Sequence, residues 1–261
     1  MVGCYIYHVQ ERGFSTVLKV KIITSYDGSS FMGSQIQNST PNTVMGVFQA
    51  TLSNLGITDT PIASGRTDRD VHATAQVLHV NLPEYWNDLK KLKNRLNHHL
   101  PDSLHVRDIK EVDKEFHARY SAKSRVYRYI ISTNEPNPFE TKYLHFVKEL
   151  DFEKISQAIK LFEGEHDFKN FMKKGSDTKS SIRKIYKAYA YKQDKKIVLY
   201  FEANGFLRSQ IRLMVGFLLA ISEKKLTQEQ LLNQLTCKAV YFRKLAPPYG
   251  LYLAKIKYGY L

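Results

Sequence analysis

At 261 residues, with 43% hydrophobic side chains, the chain is long enough for one large or two medium domains around a sizeable core, which excludes a disordered protein. Lys and Arg number 39 against 25 acidic residues, a net charge of +14, which is the balance of a protein that handles a polyanion and makes nucleic acid the leading partner class. Two cysteines, Cys4 and Cys237, exclude a disulfide framework or a zinc knuckle and point to a reducing cytoplasm, and no apolar run approaches the ~20 residues of a membrane span.

Residues 1–17 hold His8, Glu11 and Arg12 where a signal peptide needs a continuous apolar core, so they are read as an extension rather than a leader. Leu18–Ile23 alternates and is β-branched, which predicts a strand. A loop rich in Gly, Ser and Asp follows over Tyr26–Gln37. Val44, Val47, Phe48, Thr51, Leu52 and Leu55 recur at helical spacing and predict one buried helix face. Thr60–Ala63 and Gln76–Leu82 read as strands on either side of a polar loop, Ala63-Ser64-Gly65-Arg66-Thr67-Asp68-Arg69-Asp70-Val71-His72-Ala73. Gly65 suits a sharp turn, and Arg66 can reach the Asp68 carboxylate or a phosphate. On residue types alone this loop is either a turn with a surface ion pair or a rigidly held site. Pro83–Leu100 has leucines at three- and four-residue spacing with Lys90, Lys91, Lys93 and Arg95 between them, an amphipathic helix whose basic face is solvated or RNA-facing. Leu104–Val112 completes the first half as a strand.

In the second half, Lys123–Ile131 alternates strictly, placing Lys123, Arg125, Tyr127, Tyr129 and Ile131 on one face. Aromatics beside cations on a strand suit stacking on an extruded base and binding its phosphate; core tyrosines under snorkelling basic stems fit the same pattern. Leu150–Phe162 predicts a helix, followed by Glu163–Phe168, where His166-Asp167 lacks any accompanying metal-ligand spacing. Lys169–Lys196 is the most concentrated basic stretch, with Lys173 and Lys174 at its start, a flexible loop expected at Gly175–Ser181 and a strand at Ile182–Tyr191. Ile197–Ala203 is a strand, and Leu207–Leu219 predicts a helix on which Arg208 and Arg212 share a face beside an apolar stripe, as a surface pair or as anion binders. Thr227 with Gln230 makes a capping box.

Five stretches, in order between Leu18 and Tyr258, resemble the tRNA pseudouridine synthase A family: Tyr26–Gln37, Gly65–Ala73, Arg125–Ile131, Gly205–Gly216 and Ala246–Leu253. The resemblance implies an α+β pseudouridine synthase fold of two similar halves, 18–112 and 113–261, each with helices on a mainly antiparallel sheet and a basic cleft between them. It further implies a cytoplasmic homodimer that isomerises uridines 38, 39 and 40 of the tRNA anticodon stem-loop. Asp68 would be the nucleophile, Arg212 its cationic partner, and Tyr127 the residue that stacks on the base and takes or relays a proton. Arg66 would hold the flipped nucleotide's phosphate, with Arg208, Lys173 and Lys174 on RNA. The isomerisation involves no net redox change, so neither cofactor nor metal is expected. Two departures stand out: Ser34 replaces the family's tryptophan, and Arg69-Asp70 replaces a pair of small residues after the aspartate. Asp70 adds a like charge near Asp68 unless a neighbouring arginine offsets it. A catalytically silent RNA-binding protein and a metal-dependent nuclease are the rival readings.

Overall fold

The structure is a computed structural model that describes residues 17–175 and 178–259. Residues 1–16 of the expected N-terminal extension, with Cys4, and residues 176–177 of the Gly175–Ser181 loop lie outside those residues. The first half runs β1 (Leu18–Tyr26), α1 (Val44–Asn54), β2 (Ile62–Ala63), β3 (His72–Leu82), α2 (Leu89–His99) and β4 (Leu104–Glu111). The second runs β5 (Ala122–Ser132), β6 (His145–Phe146), α3 (Phe152–Ala158), β7 (Gly164–Asp167), β8 (Ile182–Gln193), β9 (Lys196–Ala203), α4 (Gln210–Ser222), α5 (Gln228–Leu235) and β10 (Leu251–Tyr258).

Among the described residues the strands form one sheet in the order β4-β1-β3-β10-β5-β9-β8-β7, with β2 paired to β3 and β6 to β5. Its pairings are antiparallel except β10 with β3 and β5 with β6. The seam between the halves is short: Tyr252 faces His72 and Leu253 faces Ala73. Beside it β10 bulges, Leu253 facing Tyr127 and Lys255 facing Val126, a device that re-aims side chains near sites.

A continuous apolar cluster joins the sheet to the helices. It takes Val20 and Ile22 from β1, Phe48 and Leu52 from α1, Leu92 and Leu96 from α2, and Tyr129 and Phe201 from β5 and β9 with much of α4. Local chemistry sets the helix starts: Thr43 caps α1, Asp88 caps α2, and Thr227 with Gln230 forms the expected reciprocal box at α5.

Of the boundaries that differ from the sequence expectation, four have a clear local reason. α2 begins at Leu89 rather than near Pro83, because Asp88 accepts Lys91 N–H and Trp86 is held in a turn by Pro83 O and Leu55 O. The helix expected to reach Phe162 tightens into a 3₁₀ turn at Ile159–Phe162. β3 reaches back to His72 through ladder contacts with β1 and β10 that its polar residues do not advertise. α4 starts at Gln210, not Leu207, because Gln210 Oε1 takes the Leu207 N–H at 2.8 Å. No described helix is long and apolar enough to cross a membrane.

Candidate active site at the seam of the sheet

Asp68 lies just before β3, where the halves meet. The loop that carries it is fixed from two directions. Ser34, buried in the Tyr26–Gln37 loop, accepts the Thr67 N–H on its Oγ at 2.8 Å, and its own N–H donates to Thr67 O at 3.2 Å. Thr67 Oγ1 in turn bonds the buried Tyr26 phenol at 2.8 Å. On the other side Gly28 lies so close to the chain that a Cβ there would be 2.1 Å from Val71 O, and its N–H donates to His72 Nδ1 at 3.0 Å. His72 Nε2 completes the anchor on Lys142 O at 2.9 Å, and burial pushes the imidazole below its ordinary pKa, in keeping with a neutral ring.

The carboxylate is held from α4. Arg212 Nη1 stands 3.4 Å from Asp68 Oδ2, its side chain 16% exposed against 33% for Asp68. The guanidinium is itself aimed by Nε donating to Ala246 O at 2.8 Å, while Ala246 N–H donates to Arg212 O at 2.9 Å. Ser209 Oγ donates to the same Oδ2 at 2.9 Å. Tyr127 lies on the neighbouring face of β5, its ring edge-on to Phe206 at 5.3 Å. Burial raises its phenol above the ordinary range, with the Tyr26 phenol and the Asp68 charge adding to the effect, so it keeps its proton near neutrality.

Of the residues expected at the site, Asp68, Tyr127 and Arg212 come together. Arg66 is exposed, and no hydrogen bond or ion pair engages it among the described residues; the carboxylate's partner is Arg212. Arg208 does not share a helical face with Arg212. It precedes α4, exposed, and its carbonyl takes the Lys173 N–H at 3.1 Å, which brings the exposed Lys173 and Lys174 beside the start of the helix.

Gly65 is not the strained point of the loop. Its φ is outside the left-handed range and a Cβ there would meet nothing within 4 Å, whereas Gly33 at φ 99° and Asp70 at φ 63° carry the left-handed turns. Asp70 is offset by its neighbour, Arg69 Nε lying 3.7 Å away. Arg125, on the same strand face as Tyr127, spends its donors on protein carbonyls rather than presenting them to a phosphate. It reaches Arg119 O at 2.6 Å, Asn204 O at 2.8 Å and Ser64 O at 3.4 Å, tying together three segments around the site. The sequence reading missed Ser209 altogether, since a serine in a polar turn carries no pattern. No group of three His, Cys, Asp or Glu among the described residues is placed to hold a metal, and His166 Nε2 is engaged by Glu163 O at 2.9 Å.

The mainly antiparallel sheet flanked by five helices is the fold of a pseudouridine synthase, as the family match shows, and in this chain Asp68 and Arg212 pair at its central seam. The chain belongs to the tRNA pseudouridine synthase family, whose model matches it in two segments, residues 22–121 and 158–259. It is 39% identical over 241 residues to a tRNA pseudouridine synthase A of Campylobacter jejuni, covering 92% of this chain and all of that protein. Over 233 residues it is 41% identical to a tRNA pseudouridine synthase A of Wolinella succinogenes, covering 89% and 92%. A Geobacillus protein of the same name is 37% identical over 250 residues, covering 92% and 98%.

Proposed function

We propose that this chain isomerises uridine to pseudouridine at positions 38, 39 and 40 of the tRNA anticodon stem-loop, with Asp68 as nucleophile. The observation that carries the reading is the Asp68 carboxylate, held on one oxygen by Arg212 and Ser209 at the seam of the sheet and left a third exposed. The reaction breaks the N1–C1′ bond, turns the base, and joins C5 to C1′. An Asp68 lone pair either bonds C1′ as the N1–C1′ pair departs onto the uracil, or adds to C6 as the C5–C6 π pair moves onto O4. Both draw on a carboxylate oxygen of Asp68, and Arg212 stands 3.4 Å from Oδ2 as its cationic partner. Tyr127 floors the flipped base, and a phenol that holds its proton can relay one rather than act as the primary base.

Arg66, Arg208, Lys173 and Lys174 are exposed cations, and the task assigned to them in this reading is the phosphates on either side of the flipped nucleotide. The halves 18–112 and 113–261 contribute the nucleophile and its arginine respectively, so neither half is expected to act alone. A homodimer in the cytoplasm is the assembly proposed from the family resemblance, and sedimentation of the purified chain checks it. The deciding test of the chemistry is tritium release from C5-labelled uridine in unmodified tRNA. The parent releases tritium; Asp68→Asn binds tRNA and releases none. Turnover by Asp68→Asn would overturn the assignment, and tight binding with no release by the parent would leave an RNA-binding protein.

A further inference from the structure

Ser209 is the N-cap of α4, yet its hydroxyl does not cap the helix. Serine is favoured at that position because its oxygen accepts an N–H from the first turn. Here Oγ is turned away and donates to Asp68 Oδ2 at 2.9 Å. The backbone is bent to allow it, at φ 59° and ψ 12°, in the left-handed region that serine enters less readily than glycine or asparagine. One residue gives up two local preferences, and its hydroxyl serves the aspartate instead of the helix.

Strain of this kind persists only where its surroundings over-determine it, and it gathers at functional sites. The surroundings are present. Gln210 Oε1 takes the Leu207 N–H at 2.8 Å, the Gln210 N–H returns to Leu207 O at 3.1 Å, and Ser209 O accepts the Leu213 N–H at 3.1 Å. Position 209 falls among the residues that the family resemblance leaves open.

We infer that Ser209 is a positioning residue, which fixes the rotation of the Asp68 carboxylate so that Oδ1 is the oxygen presented to substrate. The inference rests on the reading of Asp68 as nucleophile. A carboxylate held by Arg212 alone, at 3.4 Å, retains freedom to pivot about Cβ–Cγ. A second, shorter donor on the same Oδ2 removes it, and neither donor touches Oδ1. Loss of orientation slows the chemical step without weakening the binding of tRNA.

The test is kcat and KM for tritium release, with thermal unfolding, for the parent, Asp68→Asn, Ser209→Gly and Ser209→Asn. Glycine removes the donor and relieves the left-handed strain together. The expected result for Ser209→Gly is kcat about tenfold lower, KM within about twofold, and a melting temperature at or above that of the parent. Asparagine tolerates the backbone and restores a donor, so Ser209→Asn is expected to recover to within about threefold of the parent. A purely structural serine would show no such split. The inference falls if Ser209→Gly keeps the parent's kcat while Asp68→Asn is inert, if only KM moves, or if Ser209→Asn is as slow as Ser209→Gly. Turnover by Asp68→Asn would instead bring down the nucleophile, and the role of Ser209 with it.

Discussion

Ser34 stands where the resembling family has a tryptophan, and the two side chains cannot do the same work. A tryptophan fills space; Ser34 satisfies the backbone of the residue before Asp68, taking the Thr67 N–H and returning its own N–H to Thr67 O. Ser34→Ala would leave that N–H buried without its acceptor, at a cost of about 1–3 kcal/mol. For a chain of this size that is a fall of about 2–10 °C in melting temperature. Because the loosened residue adjoins Asp68, kcat for tritium release is expected to fall by more than the change in folded fraction explains. An unchanged melting temperature would mean that Thr67 finds another partner and that the serine merely replaces bulk.

At the scale of the element, α4 shows what periodicity reveals and what it hides. Its apolar stripe of Ile211, Met214, Val215 and Leu218 was legible, and all four are buried. Its start was not, because the first turn is set by the Gln210 side chain folding back on Leu207 and by the left-handed Ser209, neither of which leaves a hydrophobic signature. The same division runs through the site. Asp68 and Arg212 were visible through motif resemblance, whereas two of the carbonyls that occupy Arg125 come from Ser64 and Asn204, residues distant along the chain, and a third from Arg119 in the preceding turn. Gly65 drew attention because glycine marks turns, yet the left-handed positions are Gly33 and Asp70.

Gly216 makes the helix testable. A Cβ there would lie 2.2 Å from Lys244 O, a backbone atom, so the segment 244–246 would have to move away. Alanine in a helix interior ordinarily gains about 0.5–1 kcal/mol over glycine. Here overpacking of about 1–3 kcal/mol outweighs it. Ala246 O aims the Arg212 guanidinium, so Gly216→Ala is expected both to lower the melting temperature and to reduce kcat. A variant more stable than the parent with full activity would show that the segment yields freely and does not position Arg212.

For the molecule as a whole, each half holds a histidine whose desolvation pushes it down to about 4, the buried His79 on β3 and the half-buried His145 on β6. His79 accepts the Ala118 N–H at 3.1 Å, pinning the connector between the halves to the first; His145 lies 3.1 Å from the phenol of Tyr129 in the second. An exposed histidine in the unfolded chain titrates near 6.5. Protonation below that value therefore favours unfolding. The contribution of each ring is fully present above pH 6.5, is lost as pH falls from 6.5 to about 4, and is flat below that. Within the window each histidine adds a slope of about 1.4 kcal/mol per pH unit. The lowered carboxyls of Asp27 and Glu202 act in the same direction, but below the ordinary carboxylate range of about 4, so the two effects separate on the pH axis. Denaturant unfolding followed from pH 7.5 to 4.5 is expected to show stability declining steeply below pH 6.5, and His79→Asn is expected to make that decline shallower by about one proton's slope. A flat profile across the window would mean that both rings take up a proton in the folded state as readily as in water, and that neither clamps its half in the neutral form.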